Sequence, residues 1–544
     1  MIPMRKVTAA FLSLTLACAF PSLAQAPKTK PQAESARPKL LVVLVADQMR
    51  ADYIERYGHQ WTKGLRRLVD HGAWFRQAAY PYWNTITCAG HATIGTGTYP
   101  ATHGMILNAW WDRDSKKQVE CTDDSSVADV PPGAAGSSSD SPMRLRMPTL
   151  ADEMRGQFAV RPRIVSLSFK ARSAIGMAGH GGDAVVWYEG GWQTSGAFAK
   201  EMPAFVRNFE QAYHTDEQRR KPWTKLLPES AYLFTDDAAG ERPASGDTRV
   251  FPHKTNYPAG DEALARLAMA AVDELKLGQG AGTDFLGVGF SATDTVGHAY
   301  GPRSHEVQDV LARVDASIGE LLDHLDKKVG KENYVVALSA DHGVSPIPDQ
   351  MVAEGLDAGR VATAEVTARA EKALEPIFGP GPHVARYLYT DLYFQPGAYD
   401  KIRADAKAMA AVEAAILGVP GVWKIFRSED LAGAMITMDP ARRAAALSYY
   451  HGRSGDIIIL ARPYWITATA AATHGSGHGY DARVPVILMG RGILPGEYLG
   501  PASPADIAPT LAFFAGVTMA RAEGRLLTEA LVPAPRVPPP PLRK

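Results

Sequence analysis

Cysteine is scarce in this sequence: Cys18, Cys88 and Cys121 are the three among 544 residues. So few exclude a small disulfide-built scaffold and a cysteine-rich metal module. No charge of one sign dominates, since 58 Lys plus Arg balance 58 Asp plus Glu. That balance gives no support to nucleic-acid binding or to attraction by an anionic membrane, both of which draw on a basic excess. After the N-terminus no stretch of about 20 apolar residues occurs, so stable membrane insertion is not expected. No internal repeat is found.

What is present begins with an export signal. Arg5 and Lys6 form a short basic region, Ala9 to Phe20 an apolar run, and Ala24-Gln25-Ala26 a small-x-small cleavage site. Residues 1–26 therefore read as a signal peptide and 27–38 as a Lys/Pro/Ala-rich leader without packing residues. A periplasmic or secreted protein is expected. Removal of Cys18 with the signal leaves Cys88 and Cys121, an even count that can pair in an oxidising compartment. The other reading of Cys18, a lipid-anchor site, is only partly matched by Thr15-Leu16-Ala17 before it.

The remaining length suits one large α/β domain with insertions. Leu40 to Ala46 is a continuous apolar run with the composition of a strand buried on both faces, and Asp47 follows it. Strand-like runs recur at 163–169, 183–188, 285–290, 334–340, 456–460 and 484–489, the fifth of them read as a return to the core sheet. Leu311, Val314, Ile318, Leu321, Leu322 and Leu325 recur at helical spacing and predict a helix over 306–327. Further helices are expected over 60–72, from Met147 and over 262–277, and one capped by Asp506. The region 115–145 reads as an irregular excursion, 190–260 as a lid rather than core, and 360–450 as an inserted α+β subdomain with one strand over 384–394. The catalytic region spans 39–530, followed by a Pro-rich tail over 531–544.

The chemistry gathers around Asn84-Thr-Ile-Thr-Cys-Ala-Gly-His91. Asn84, Thr85 and Thr87 are all N-cap types, and a hydroxyl at a helix start sits at the positive end of the helix dipole. A threonine here is a candidate nucleophile; the residues alone do not separate Thr85 from Thr87. Metal-ligand residues follow several strands: Asp47, then Asp294 and His298, then Asp341 and His342, with His474 in a later loop. Asp294-x-x-x-His298 places two ligands on one side of a helical turn. Adjacent Asp341 and His342 are expected to point in different directions, toward two metals or two sides of one. Carboxylate and imidazole together suit zinc, and two metals can serve both sides of an in-line phosphoryl displacement. An extended Lys170-x-Arg172 would aim two cations into one site.

In their order, Thr87 within its Thr/Gly stretch, Asn108, Ser168-Phe-Lys-Ala-Arg-Ser173, Thr293-Asp-Thr-Val-Gly-His298, Ala340-Asp-His-Gly343 and Thr473-His-Gly-Ser476 resemble the threonine-nucleophile, PafA-like branch of the alkaline phosphatase superfamily. The resemblance covers about 38–520. It implies a three-layer α/β/α sandwich with a large mixed, mostly parallel sheet, and two zinc ions per chain. One zinc would be held by Asp294, His298 and His474, the other by Asp47, Asp341 and His342, with Thr87 as reactive ligand. Thr87 would become a phosphothreonine, while Asn108, Lys170 and Arg172 would bind phosphoryl oxygens of a small phosphate monoester. His478 also precedes Gly479-Tyr480-Asp481 and matches related phosphodiesterases. A phosphodiesterase or nucleotide pyrophosphatase would share this fold and nucleophile, and an exported phosphate-binding protein would keep the site without turnover. The Cys/Ser-x-Pro-x-Arg pattern of sulfatases is missing near residue 88.

Overall fold

Strand β1 (Leu40–Ala46) shows how the molecule is layered. All seven of its residues are buried. Leu40, Val42, Leu44 and Ala46 join one apolar cluster, whereas Leu41, Val43 and Val45 join another. Alternate side chains leave opposite faces of a strand, so the two clusters are the two faces of one sheet. Each fully buried Val or Leu contributes about 1.5–3 kcal/mol relative to exposure, which is why so uniformly apolar a run settles at the sheet centre. The structure, a computed structural model, describes residues 37–130, 139–234, 249–251 and 255–532. The expected signal peptide with Cys18, the leader up to residue 36 and nearly all of the Pro-rich tail lie outside them.

The sheet has ten strands. In chain order they are β1, β2 (Ala73–Ala78), β5 (Asp129–Val130), β6 (Ile164–Ser168), β7 (Ala184–Tyr188), β8 (Trp192–Ser195), β9 (Asp284–Phe290), β10 (Tyr334–Ser339), β15 (Val486–Gly490) and β16 (Gly496–Ala502). The missing numbers belong to a separate hairpin, β3 (Ala109–Asp112) with β4 (Lys117–Glu120), and to the inserted subdomain, β11 (Val384–Leu388), β12 (Asp391–Phe394), β13 (Val422–Arg427) and β14 (Ile457–Ala461). The large sheet runs β16-β2-β15-β10-β1-β9-β6-β7-β8-β5. Its centre, β10-β1-β9-β6-β7, is wholly parallel, and antiparallel β15 and β8 flank it.

Helices cover both faces, giving the α/β/α sandwich. The helices that build the site are α1 (Thr87–Thr96), α2 (Ala171–Ala178), α3 (Pro258–Glu274), α4 (Ala292–Tyr300) and α5 (His305–Lys328). The apolar stripe of α5, from Val307 to Leu325, packs with α3 on one face, and the helix over Ile507–Ala515 lies on the other. Ser304 caps α5 by accepting from Val307 N–H.

Several expectations are corrected. Ile457–Ala461 does not return to the core sheet: it pairs with β12 and β13 in the four-stranded sheet of the subdomain. An apolar run reports burial, not which sheet buries it. The single strand over 384–394 is a hairpin that turns at Tyr389-Thr390. The segment 190–260 is not simply a lid, because Trp192, Phe205, Val206, Trp223 and Tyr232 are buried in the main core. The excursion after 115 contains β4 and β5. Asp506 stands before its helix without capping it; its carboxylate accepts from the N–H groups of Ser503 and Arg525.

Candidate active site

The parallel strands β1, β9 and β10 end side by side, and their C-terminal ends deliver Asp47, the Ser291–His298 segment and Asp341-His342 to one place. Open α/β sheets bind their ligands at this edge. The backbone of α1 can lie against it because Gly90 has no side chain. A Cβ there would stand 2.2 Å from the Asp341 carbonyl oxygen.

Two groups of ligand atoms result. The donor atoms of Asp47, Asp341 and His342 lie within 4.8 Å of one another, as do those of Asp294, His342 and His474. His298 joins the second group, with Nε2 3.3 Å from Asp294 Oδ1, while His474 Nε2 is 3.6 Å from the same oxygen. As expected, Asp294 and His298 share one side of α4. Asp341 and His342 do not diverge, however: His342 Nε2 is 3.3 Å from Asp341 Oδ2 and 3.5 Å from Asp47 Oδ1. His478 stays outside, with Nε2 donating to the Ala461 carbonyl and its ring against Trp83 and Tyr480.

The three histidines share one arrangement. His298, His342 and His474 each place Nδ1 2.9 Å from a backbone carbonyl, of Ala472, Gly343 and Thr85 respectively. A carbonyl only accepts, so each Nδ1 carries the proton and each Nε2 lone pair faces the carboxylates, the arrangement that orients imidazole toward a metal. Asp47 Oδ1 and Asp341 Oδ2 are buried without a hydrogen-bond partner. Buried carboxylate oxygens are otherwise satisfied, so the donor set fits two cations.

Electrostatics agree. Burial, then repulsion from Asp294 and Asp341, pushes the Asp47 carboxyl well up. Burial also pushes Asp294 and Asp341 up, but Lys170 and His298 hold the first down and His342 and His91 hold the second down. Burial and the neighbouring His342 and His298 keep His474 well below its ordinary range. One ammonium is shared: Lys170 Nζ lies 2.5 Å from Asp47 Oδ2 and 2.6 Å from Asp294 Oδ2. The Lys170-x-Arg172 stretch is not extended, since Lys170 is the N-cap residue of α2 and Arg172 lies in the helix. Arg172 nonetheless stands close enough for its charge to be felt at Lys170, and also at Glu120 and Tyr389.

Thr87 is the first residue of α1 and is buried, with Oγ1 3.3 Å from His342 Nε2. Thr85 instead donates its hydroxyl to the Ser476 carbonyl. None of Asn84, Thr85 and Thr87 caps the helix, because Ile86 holds that position without a side-chain bond. The cap comes from Asn108, whose Oδ1 accepts from Cys88 N–H at 2.9 Å. Cys88 and Cys121 are joined by a disulfide.

One residue of the site escaped sequence reasoning. Gln48 is fully buried, donates from Nε2 to Asp294 Oδ1 at 2.6 Å, and donates its backbone N–H to Asp341 Oδ1. Its φ of 67° is in the left-handed region. Adjacency to Asp47 was the only available signal, since glutamine has no metal-ligand signature.

Thr87 at a helix start thus stands beside two acidic–histidine groups that share one imidazole and could hold metal. The chain belongs to the type I phosphodiesterase / nucleotide pyrophosphatase family of the alkaline phosphatase superfamily, whose family model matches residues 41–481. It is 30% identical to alkaline phosphatase PhoV of Synechococcus elongatus, over 96% of this chain and 99% of that one. It is also 30% identical to alkaline phosphatase PafA of Elizabethkingia meningoseptica, over 91% and 95%. The crystal structure of wild-type PafA superposes with a TM-score of 0.83 at 29% identity, covering 91% of this chain and 99% of that one.

Proposed function

We propose that the protein is an exported, metal-dependent phosphatase that hydrolyses phosphate monoesters through a phosphothreonine on Thr87. The observation that carries this reading is the place of the Thr87 hydroxyl, at the N-terminus of α1 and 3.3 Å from the imidazole common to both ligand groups. The names of PhoV and PafA support the activity. One zinc ion would be held by Asp294, His298 and His474, the other by Asp47, Asp341 and His342. Bound there, the ions would supply positive charge to the phosphoryl group and lower the pKa of the attacking hydroxyl.

The chain's residues supply the rest. Thr87 Oγ forms a bond to phosphorus while the ester P–O bond breaks; the Thr87 hydroxyl proton passes to solvent, and the leaving oxygen takes one from water to depart as an alcohol. Water then attacks the phosphothreonine, releasing inorganic phosphate and restoring the Thr87 hydroxyl. The α1 dipole favours negative charge at Thr87. Asn108, with Oδ1 committed to Cys88 N–H and its side chain also bonded to Tyr389, would turn an amide N–H to a phosphoryl oxygen. Lys170 and Arg172 favour a monoester dianion over a diester, which carries one charged oxygen fewer.

The test is to stop turnover with acid and locate the phosphorylated peptide by mass. Phosphate on Thr87 in the wild type, on residue 87 in Thr87→Ser, and on no residue in Thr87→Ala is expected. A label elsewhere, or faster cleavage of a matched diester than of the monoester, would refute the reading.

A further inference from the structure

Cys88 and Cys121 are the pair that the proposed reaction does not use. Their disulfide lies beside the nucleophile, and both residues are buried. Both also hold Asn108. Cys88 donates its N–H to the Asn108 side-chain Oδ1 at 2.9 Å, and Cys121 donates its N–H to the Asn108 backbone carbonyl at 2.8 Å. The disulfide closes these two bonds into a ring around a single residue.

The surroundings explain why a covalent clamp is useful. Asn108 precedes β3, which among the described residues pairs with β4 alone. A two-stranded hairpin is marginal by itself, and much of β4 is exposed. Cys121 immediately follows β4 and ties its end to the first turn of α1. The last residue of β4, Glu120, interacts with Arg172, so the hairpin reaches a second residue of the phosphate site. The Asn108 side chain also has the Tyr389 hydroxyl as a hydrogen-bond partner, and the disulfide is the covalent tie between its hairpin and α1.

We propose that Cys88 and Cys121 are positioning residues: their disulfide fixes the Asn108 amide at the phosphoryl oxygen, and full activity requires the oxidised form. This rests on the phosphatase reading above. A hydrogen bond to a charged oxygen is worth about 10- to 100-fold in rate or affinity, so a displaced Asn108 forfeits that factor.

The experiment is a double-mutant cycle on the full, metal-loaded chain, comparing wild type, Cys121→Ala, Asn108→Ala and the combination. The readouts are kcat/KM for phenyl phosphate and affinity for inorganic phosphate by calorimetry, with a thermal melt recording stability. Cys121→Ala is expected to lose about tenfold or more in both readouts, and to lose less than a further twofold when Asn108 is already alanine. A loss that multiplies in the Asn108→Ala background, or no loss, overturns the proposal, since a merely structural bridge would act equally in both. If Cys121→Ala does not fold, Cys88→Ala with Cys121→Val restores the bridge volume, and the folded wild type reduced by a phosphine until peptide mass shows both Cys88 and Cys121 as free thiols gives the same comparison. If the wild type hydrolyses no monoester, the phosphatase reading fails by itself, and the clamp is still judged by phosphate affinity.

Discussion

Gln48 carries a cost that its neighbours do not. A non-glycine residue at φ 67° is held in the left-handed region, at roughly 1 kcal/mol or more. In return its amide reaches Asp294 and its backbone N–H reaches Asp341, one oxygen in each ligand group. Replacing Gln48 by alanine should weaken metal binding about 10- to 100-fold, the usual worth of a residue that orients ligands, as measured by competition with a chelator. Gln48→Gly should lose the same affinity yet be about 1 kcal/mol more stable than Gln48→Ala in denaturant, because glycine tolerates this φ. Equal stability of the two variants would show that the backbone here is unstrained.

At the scale of elements, α4 shows how a distant residue sets ligand geometry. Asp294 and His298 both ride on it, and Ser291 before it makes no side-chain cap. Its first N–H groups are satisfied from α3: Asp261 accepts from Ser291 N–H at 2.9 Å and from Ala292 N–H at 3.1 Å. Asp261→Ala should cost about 1–3 kcal/mol in urea unfolding, since two buried donors lose their partner, and should lower kcat as α4 shifts. Asp261→Asn retains one acceptor oxygen and should cost less than Asp261→Ala; an equal cost would mean that the cap is not what Asp261 contributes. The strands and long helices of this fold were legible from the chain: β1, β9, β10 and α5 lie within a residue or two of where apolar runs and 3.6-residue spacing put them. Caps were less legible. Asp261 serves α4 from 30 residues away and Asn108 serves α1 from 20, and local patterning does not carry such pairings.

At the scale of the whole molecule, the core holds a histidine that must stay neutral. His103 is fully buried, accepts Met105 N–H at Nδ1, and has Nε2 3.1 Å from the Thr93 hydroxyl. Burial, with help from the Arg453 charge, pushes it down to about 3. In the unfolded chain it titrates near its ordinary value of about 6.5. The folded value is the lower one, so the stability it confers is present above pH 6.5 and is lost as pH falls toward 3. The slope from this group approaches about 1.4 kcal/mol per pH unit between those values. Urea unfolding from pH 6 to 4 should show His103→Gln losing stability less steeply than the wild type by about that amount. Parallel slopes would place the acid sensitivity elsewhere.

Residue type and spacing were enough for the class of layered α/β fold, its buried strands and the candidate ligand residues, because burial periodicity and metal-ligand chemistry are local properties. Tertiary structure decided which of these residues meet. Thr85 and Thr87 are alike as residues, and only Thr87 stands beside His342. His474 and His478 share a loop, and only His474 turns inward. Lys170 and Arg172 sit at a helix start and not on an extended strand, and β14 joins the smaller sheet. Such choices depend on contacts between segments hundreds of residues apart, and no local spacing encodes them.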